Sequence, residues 1–170
     1  LRVHRKTEIP YFYYLADRYG ILLIQDFPCG GYRPKFLPTV LPRLFPSYSK
    51  EKHIHREKLG RKDDASLVVF EKERKEWIPF FHNHPSIIRE TIFNEGWGEA
   101  NPSYYYDLAK ELDSKRIFDT ASGWYEANRS DVFSIHTYTI PNRKRKNTFH
   151  RLFILSEIGG IGLKEEGFPY

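Results

Sequence analysis

The sequence predicts an α/β fold, built as an incomplete (β/α)8 TIM barrel. Short apolar runs alternate with amphipathic stretches along the whole 170-residue chain, and this alternation is typical of parallel sheets. Polar residues close most of the apolar runs, at the strand ends where a barrel keeps its active site. An open doubly wound sheet would also bind ligands there, but no glycine-rich phosphate loop follows any run, which favours the barrel.

The predicted elements follow one another in a regular order. A proline near the first turn and a glycine after the last turn indicate a helix over 10–19. A long helix is expected over 67–82, and another proline opens the helix expected over 102–112. Apolar runs predict six buried strands, over 1–4, 21–25, 86–95, 116–120, 132–135 and 152–156.

The chain is expected to form one partial barrel domain over 1–170, with a long loop insertion over about 29–66. A complete barrel needs eight strands and typically ~250 residues, so we expect the first and last strands to be missing. The chain opens with Leu-Arg-Val and contains no methionine, which indicates an internal piece of a longer protein. Missing strands would leave unpaired edges and could leave the isolated piece inactive.

Charge and composition narrow the classes of partner. The net charge is +5, but the basic residues form three separate clusters, at 50–62, 72–75 and 143–146. We interpret the first and last as solvated loops and the middle one as the polar face of a helix. We therefore expect no nucleic-acid partner, although a basic nucleic-acid-binding domain stays open as an alternative. No apolar run approaches the ~18 residues that span a membrane, and Cys29 is the only cysteine, which excludes an internal disulfide.

Two glutamates close predicted strands and are followed closely by glycine: Glu95 and Glu157. Hydrolysis of a glycosidic bond uses two carboxyl groups, one to protonate the leaving oxygen and one to attack the anomeric carbon. In retaining enzymes these groups lie ~5–5.5 Å apart. Two strands of one barrel can bring two glutamates face to face, which supports paired catalysis. The alternative is that both are solvent-exposed loop residues.

Seven stretches of the chain carry a resemblance to a known family. They are 1–4 (LRVH), 13–28 (YYLADRYGILLIQDFP), 84–88 (HPSII), 93–98 (FNEGWG), 121–124 (ASGW), 136–138 (HTY) and 156–160 (SEIGG). In this order they resemble glycoside hydrolase family 2, which contains β-galactosidases, β-glucuronidases and β-mannosidases. The resemblance covers nearly the whole chain except the loop from 30 to about 66. It implies a retaining β-glycosidase that binds a carbohydrate substrate, and that β-sandwich domains precede the barrel in the parent protein.

The resemblance also implies roles for individual residues. Glu95 would be the general acid/base, and Glu157, after the family's seventh strand, would be the nucleophile. Asn94 would contact the sugar 2-hydroxyl, Arg2 would support the nucleophile, and Tyr138 would donate a hydrogen bond to it. Five further residues would line the pocket: His4, Asp26, Trp97, Trp124 and His136. We expect no cofactor and no metal site, because His53 and His55 lie in a basic loop without a third ligand nearby in the sequence.

One departure from the family pattern lies in the strand over 86–95. The family keeps this strand apolar, whereas this chain carries Arg89, Glu90 and Thr91. An unpaired buried charge is costly, so either these residues find partners or the strand is displaced. The departure leaves open a second function, in which the chain is a catalytically degenerate barrel that only binds carbohydrate. The sequence does not identify which sugar is recognised.

Overall fold

The computed structural model describes residues 1–38, 56–125, 127–138 and 151–159. Parallel strands and helices alternate along these residues, which confirms the predicted α/β class. The elements are β1 (Arg2–Val3), α1 (Pro10–Tyr19), β2 (Leu23–Asp26), a 3-10 helix (Arg56–Leu59), α2 (Ala65–His82), β3 (Ile87–Asn94), α3 (Pro102–Leu112), β4 (Ile117–Ser122), β5 (Val132–Thr137) and β6 (Leu152–Ile158). No helix within the described ranges is long and apolar enough to cross a membrane.

The strands form two parallel sheets, one ordered β1-β2-β3-β4 and one made of β5 and β6. The predicted barrel of six strands is therefore not shown, because the described strands form no continuous ladder around a ring. Side chains explain the interruption between β4 and β5. The backbone amide of Phe118 donates to the Asp131 carboxylate at 2.8 Å, and that of Thr120 donates to the Ser130 hydroxyl at 3.1 Å. These side chains accept from amides of β4, and the amide of Asp131 donates to the carbonyl oxygen of Phe118 at 3.1 Å. The two sheets therefore meet through side chains as well as through backbone hydrogen bonding.

Several strand ends differ from the prediction. β2 begins at Leu23 rather than at residue 21, because Ile21 and Leu22 are exposed and the Ile21 amide still donates to the end of α1. β5 and β6 run two residues further than predicted, so that His136 and Glu157 belong to the strands themselves. The polar residues thus lie on strands, which hold them more rigidly than loops would, and the pairing of β5 and β6 shifts by one residue between Ile135 and His136.

The three helices pack on the four-stranded sheet and bury one aromatic core. Its largest side chains are Tyr13, Leu23, Phe27, Phe70, Ile78, Phe81, Ile87, Phe93, Tyr105 and Phe118. Each fully buried side chain of this size contributes about 1.5–3 kcal/mol relative to exposure. This core contains residues of β2, β3 and β4, and so fixes which of these strand ends lie side by side.

The charged residues of β3 find partners, which decides between the two alternatives left by the sequence. β3 keeps its place between β2 and β4, and Arg89 and Glu90 are 4 % and 0 % exposed. Arg89 Nη1 lies 3.4 Å from a carboxylate oxygen of Asp119, and Arg116 Nε lies 3.3 Å from one of Glu90. Burial raises the pKa of Glu90 to about 8, although the charge of Arg116 opposes the change.

Two basic residues that the sequence assigned to solvated surfaces are buried, so that interpretation is wrong for them. Arg74 and Arg61 are 1 % and 2 % exposed. Both guanidinium groups stack on the ring of Phe70, at 4.1 and 4.5 Å from its centroid. Arg61 also donates to the carbonyl oxygen of Gly98 at 2.8 Å. A planar guanidinium can stack its face on an aromatic ring and donate hydrogen bonds from its edge at the same time. The cluster at 143–146 and the pair His53 and His55 lie outside the described residues.

Candidate active site

Polar side chains from all six strands meet at one edge of the two sheets. Since the strands of each sheet run parallel, their carboxyl ends lie together, as they do around the active sites of many α/β enzymes. The residues concerned are Arg2 on β1, Asp26 at the end of β2, Asn94 at the end of β3, Ser122 at the end of β4, His136 on β5 and Glu157 on β6. Glu95 follows β3 directly.

Glu95 sits in a turn that only an unusual backbone can make. Its φ is +53°, in the left-handed region that residues other than glycine rarely adopt. Its amide donates to the carbonyl oxygen of Ser122 at 2.9 Å, which ties the turn to the neighbouring strand. Gly96 follows with φ +74°, and a Cβ there would collide with the ring of Tyr125. Strain of this kind persists where the surrounding structure enforces it, and it is concentrated at functional sites.

The hydroxyl of Tyr138 lies between the two glutamates. It is 2.7 Å from Glu95 Oε1 and makes a shorter contact with Glu157 Oε2. His136 contacts the same pair, with Nδ1 2.9 Å from Glu95 Oε1 and Nε2 3.5 Å from Glu157 Oε1. One oxygen from each carboxyl group and one ring nitrogen of His136 lie within 4.8 Å of one another. Burial and the hydrogen bonds to Glu157 and Glu95 raise the pKa of Tyr138 well above its usual value.

Arg2 holds the other side of the cluster. Its Nη1 lies 2.5 Å from Glu157 Oε1, its Nη2 donates to Asn94 Oδ1 at 2.9 Å, and its Nε lies 3.0 Å from both oxygens of Asp26. Burial disfavours the charge on Arg2, but the two carboxylates outweigh it and raise the pKa of the guanidinium. Burial would raise the pKa of Asp26, but hydrogen bonds from His4 and Arg2 lower it overall. Arg2 therefore links Glu157, Asn94 and Asp26 in one hydrogen-bonded group.

The two tryptophans predicted to line the pocket are placed differently. Trp124 is 4 % exposed, and its ring packs edge-on against His136 at 5.6 Å and Tyr138 at 5.8 Å. It therefore supports the cluster from behind. Trp97 is half-buried just past β3, and the guanidinium of Arg5 lies 4.6 Å from the centre of its ring. His4 is the most open of the predicted residues, with 53 % of its side chain exposed while it contacts Asp26.

Sequence reasoning missed a group of polar residues behind His136. Ser122 Oγ lies 3.1 Å from His136 Nε2 and 3.2 Å from Ser156 Oγ. Ser134 donates to Asp119 Oδ1 at 2.9 Å. Ser122 lies in one of the stretches that carried the family resemblance, and this was the only available signal. Ser134 and Asp119 lie inside strands, where the sequence predicted burial alone.

Glu95, His136 and Glu157 each present an atom that could bind a metal ion, all within 4.8 Å of one another. Arg2 Nη1 lies 2.5 Å from Glu157 Oε1, so a positive charge already neutralises that carboxylate. The hydroxyl of Tyr138 bridges the two carboxyl groups. A metal ion bound by all three residues would have to displace both groups.

Comparison with known proteins supports the fold. No protein-family model matches the sequence, and no curated protein sequence does so either. A β-glucuronidase from an uncultured Clostridium species has a similar solved structure, with a TM-score of 0.51 and 17 % sequence identity. The match covers 81 % of this chain and 22 % of the enzyme. At this identity the similarity shows a shared fold with part of a glycoside hydrolase, and this chain spans about a fifth of that protein's length.

Proposed function

We propose that this chain carries the catalytic centre of a retaining β-glycosidase, with Glu157 as nucleophile and Glu95 as general acid/base. The observation that carries the proposal is the spacing of the two carboxyl groups, whose facing oxygens lie within 4.8 Å of each other around Tyr138. Retaining glycosidases have a separation of ~5–5.5 Å, whereas inverting enzymes need ~6.5–9.5 Å to admit a water molecule. The nearest oxygens of Glu95 and Glu157 are closer than either range of group separations, and so lie nearer to the retaining one, which favours direct attack by one carboxylate.

The contacts of each glutamate support different roles. Glu157 faces the guanidinium of Arg2, which favours the anion that a nucleophile needs. Tyr138 has a single proton but contacts both carboxyl groups. If it donates to ionised Glu157, its contact with Glu95 requires a proton on Glu95. The arrangement therefore suits one ionised and one protonated carboxyl group, which is the starting state of a retaining mechanism.

The proposed reaction has two steps. In the first, a carboxylate oxygen of Glu157 attacks the anomeric carbon, the bond to the leaving oxygen breaks, and Glu95 transfers its proton to that oxygen. In the second, Glu95 removes a proton from water, and the resulting hydroxide oxygen attacks the anomeric carbon. The bond between sugar and Glu157 then breaks, and both carboxyl groups return to their starting states.

The surrounding residues suit a carbohydrate ligand. Asn94 is held by Arg2 at 2.9 Å, and we assign to it the contact with the sugar 2-hydroxyl. His4 is exposed and contacts Asp26, and Trp97 is half-buried just past β3, and we assign to both a contact with the sugar. We further propose that the strands belong to an incomplete (β/α)8 barrel, and that β-sandwich domains accompany it in the whole protein. Arg89 and Glu90, which partly motivated the degenerate, binding-only alternative, lie beside Asp119 and Arg116 and no longer support it. The expected missing strands were its other motive and keep it as the second candidate.

A panel of nitrophenyl β-glycosides tests the proposal, with the whole protein as the enzyme. We expect turnover of at least one substrate, with the β-anomer released first in proton NMR spectra. Glu95→Gln and Glu157→Gln should each lower kcat by about 10³-fold or more, since each removes an essential group. Glu76→Gln is a matched control, because this side chain is 62 % exposed on α2, and it should retain full activity.

The outcomes separate the alternatives. Normal turnover by Glu157→Gln would contradict the assigned nucleophile, and release of the α-anomer first would contradict the double displacement. Saturable sugar binding without turnover by any substrate in the panel would support the degenerate barrel instead. Salt-sensitive binding to DNA, with no sugar binding, would support the basic nucleic-acid-binding alternative.

A further inference from the structure

A line of buried polar side chains connects the interior of the sheets to Glu95, and the proposed reaction does not use it. Asp119, in the middle of β4, is 1 % exposed and accepts a hydrogen bond from Ser134 on β5 at 2.9 Å. Ser134 Oγ lies 3.4 Å from Ser122 Oγ, which lies 3.1 Å from His136 Nε2. On the other side of the ring, His136 Nδ1 lies 2.9 Å from Glu95 Oε1.

The far end of this line is anchored by Arg89. Its Nη1 lies 3.4 Å from Asp119 Oδ2, and within the described ranges none of its guanidinium nitrogens forms a hydrogen bond. Burial raises the pKa of Asp119, while the charge of Arg89 and hydrogen bonds from Ser134 and Ser122 oppose the change. Burial thus works against the charge on Asp119, but a guanidinium keeps its proton in a protein, and we take Asp119 as the ionised partner of Arg89 at this distance. The two serines are the groups that connect Asp119 to His136.

The direction of the hydrogen bonds follows from the carboxylate. An ionised Asp119 only accepts hydrogen bonds, so both serines point their protons towards it. The oxygen of Ser122 then accepts from His136 Nε2–H, and a neutral ring protonated at Nε2 presents Nδ1 as an acceptor. An acceptor 2.9 Å from Glu95 Oε1 favours the protonated form of Glu95, which is the form that a general acid needs. The single proton of Glu95 then lies between His136 Nδ1 and the Tyr138 oxygen, which are 3.4 Å apart.

We propose that Asp119 is a positioning residue, which acts through Ser134 and Ser122 to keep the proton of His136 on Nε2 and so keeps Glu95 protonated. The proposal rests on the assigned role of Glu95 as general acid/base. Each serine hydroxyl can donate one hydrogen bond and accept others. Two neutral hydroxyl groups can therefore pass the direction of the hydrogen bonds from Asp119 to His136. This would explain why β3 and β4 carry the buried charged residues Arg89 and Asp119.

Several charged or titratable groups face His136 and must be considered together. Glu95 approaches from the end of β3, Glu157 from β6, Tyr138 from beyond β5 and Asp119 from β4. Arg2 and Arg89 lie one group further away, on Glu157 and Asp119. Asp119→Asn changes one of these charges and leaves the direct partners of the ring in place, which makes it the informative variant.

The test uses two measurements on the whole protein. Nitrogen-15 NMR of the histidine rings should show the Nε2-protonated form of His136 in the natural protein, and an increased Nδ1-protonated fraction in Asp119→Asn. An Nδ1–H donates to Glu95 and stabilises its anion, so the basic limb of the pH profile of kcat/KM should move to lower pH by about half a unit to one unit. Ser122→Ala should cause a shift in the same direction.

Thr120→Val is the matched control. Thr120 is fully buried on β4, one residue from Asp119, and its hydroxyl has no hydrogen-bond partner within the described ranges. Valine has nearly the same shape, so this variant should retain the natural tautomer and pH profile. A changed profile in Thr120→Val would mean that any alteration of β4 has this effect, and would overturn the proposal.

The remaining outcomes are distinct. If Asp119→Asn and Ser122→Ala retain the natural tautomer, or if kcat falls at every pH without a shift of the basic limb, the residues have only a structural role and the proposal is wrong. If the tautomer changes as expected but no glycoside is hydrolysed even by the natural protein, the proposed function fails while the control of His136 by Asp119 stands. If Asp119→Asn does not fold, Ser122→Ala alone decides.

Discussion

Gly123 lies directly against the imidazole of His136, with φ +96°. A Cβ at this residue would lie 2.5 Å from His136 Nδ1 and 2.7 Å from Cγ, closer than carbon atoms approach in real structures. Gly123→Ala should therefore push the ring away from Glu95. Because displacement of a catalytic group by about 1 Å can cost on the order of 10²-fold, we expect a comparable loss of kcat with nitrophenyl β-glycosides.

Gly20→Ala controls for backbone strain in this experiment. Gly20 has φ +67°, but nothing lies within 4 Å of the Cβ that alanine would add. Both variants place alanine in the left-handed region, at a cost of about 1 kcal/mol or more, yet only Gly123→Ala collides with the site. Equal activity of the two variants would show that the contact with His136 is unimportant.

At the residue scale, the sequence predicted the groups at strand ends better than those inside strands. Glu95 and Glu157 stand out in the sequence because they close apolar runs, whereas Arg2 and Tyr138 were expected only from the family resemblance. In the structure the four residues meet in one cluster. Their catalytic roles stay predictions. Asp119 could not be found in this way, because its partner Ser134 lies on another strand and only the arrangement of β4 and β5 brings them within 2.9 Å.

At the scale of elements, the sequence signals for helix ends were the most reliable. α1 and α3 have the predicted bounds, because a proline in the first turn of each has no amide proton to leave unpaired. Gly20, in the left-handed conformation, donates its amide to the last carbonyls of α1 and ends it. The bounds of the strands differ from the predicted ones because hydrophobicity in the sequence does not show which residues pair with a neighbouring strand. Ile21 and Leu22 are apolar but exposed.

β3 offers a prediction about stability and pH. Burial raises the pKa of Glu90 to about 8, while Arg116 opposes and Asp113 favours the change. An unfolded glutamate has a pKa near 4.3, so the folded state holds a proton that the unfolded state has lost between these values. Glu90 therefore contributes stability at pH 4, and this contribution declines as the pH rises towards 8. In Glu90→Gln the side chain does not titrate, so this decline of stability with pH should be absent.

We expect the unfolding midpoint of Glu90→Gln in urea, relative to the natural protein, to rise steadily from pH 5 to pH 8 and then level off. Arg116 keeps a second carboxylate in the variant, because Asp113 lies 3.5 Å from its Nε. Glu111→Gln, on the exposed face of α3, should show no such trend. A difference between Glu90→Gln and the natural protein that stays constant from pH 5 to pH 8 would contradict the raised pKa.

At the scale of the whole molecule, the sequence predicted the α/β class but not how the two sheets meet. The alternation of strands and helices predicted the α/β class, since it needs nothing beyond local pattern. Closure depends on how β4 meets β5, and Ser130 and Asp131 accept from β4 amides that a strand ladder would otherwise use. Such side-chain bonds between strands are invisible to hydrophobic periodicity.

Arg2 joins the first strand to the last. It binds Asp26 on β2, Asn94 on β3 and Glu157 on β6 with the separate nitrogens of one guanidinium. Arg2→Lys keeps the charge, but a single ammonium on a flexible stem cannot reproduce this planar arrangement. Since hydrogen bonds to charged groups contribute about 1.5–3 kcal/mol each, we expect the free energy of unfolding in urea to fall by about 2 kcal/mol.

Hydrogen exchange shows whether this loss belongs to the connection between strands. In Arg2→Lys the amides of β1 and β6 should exchange faster, while those of α3, which makes none of these contacts, should exchange as in the natural protein. Arg129→Lys is the control, because Arg129 pairs with Asp107 at 2.7 Å on the surface, with both side chains at least half exposed. Pairs of that kind contribute about 0–1 kcal/mol. If the free energy of unfolding falls equally in Arg2→Lys and Arg129→Lys, the contacts of Arg2 contribute no more than a surface ion pair. The two sheets are then held together by other contacts.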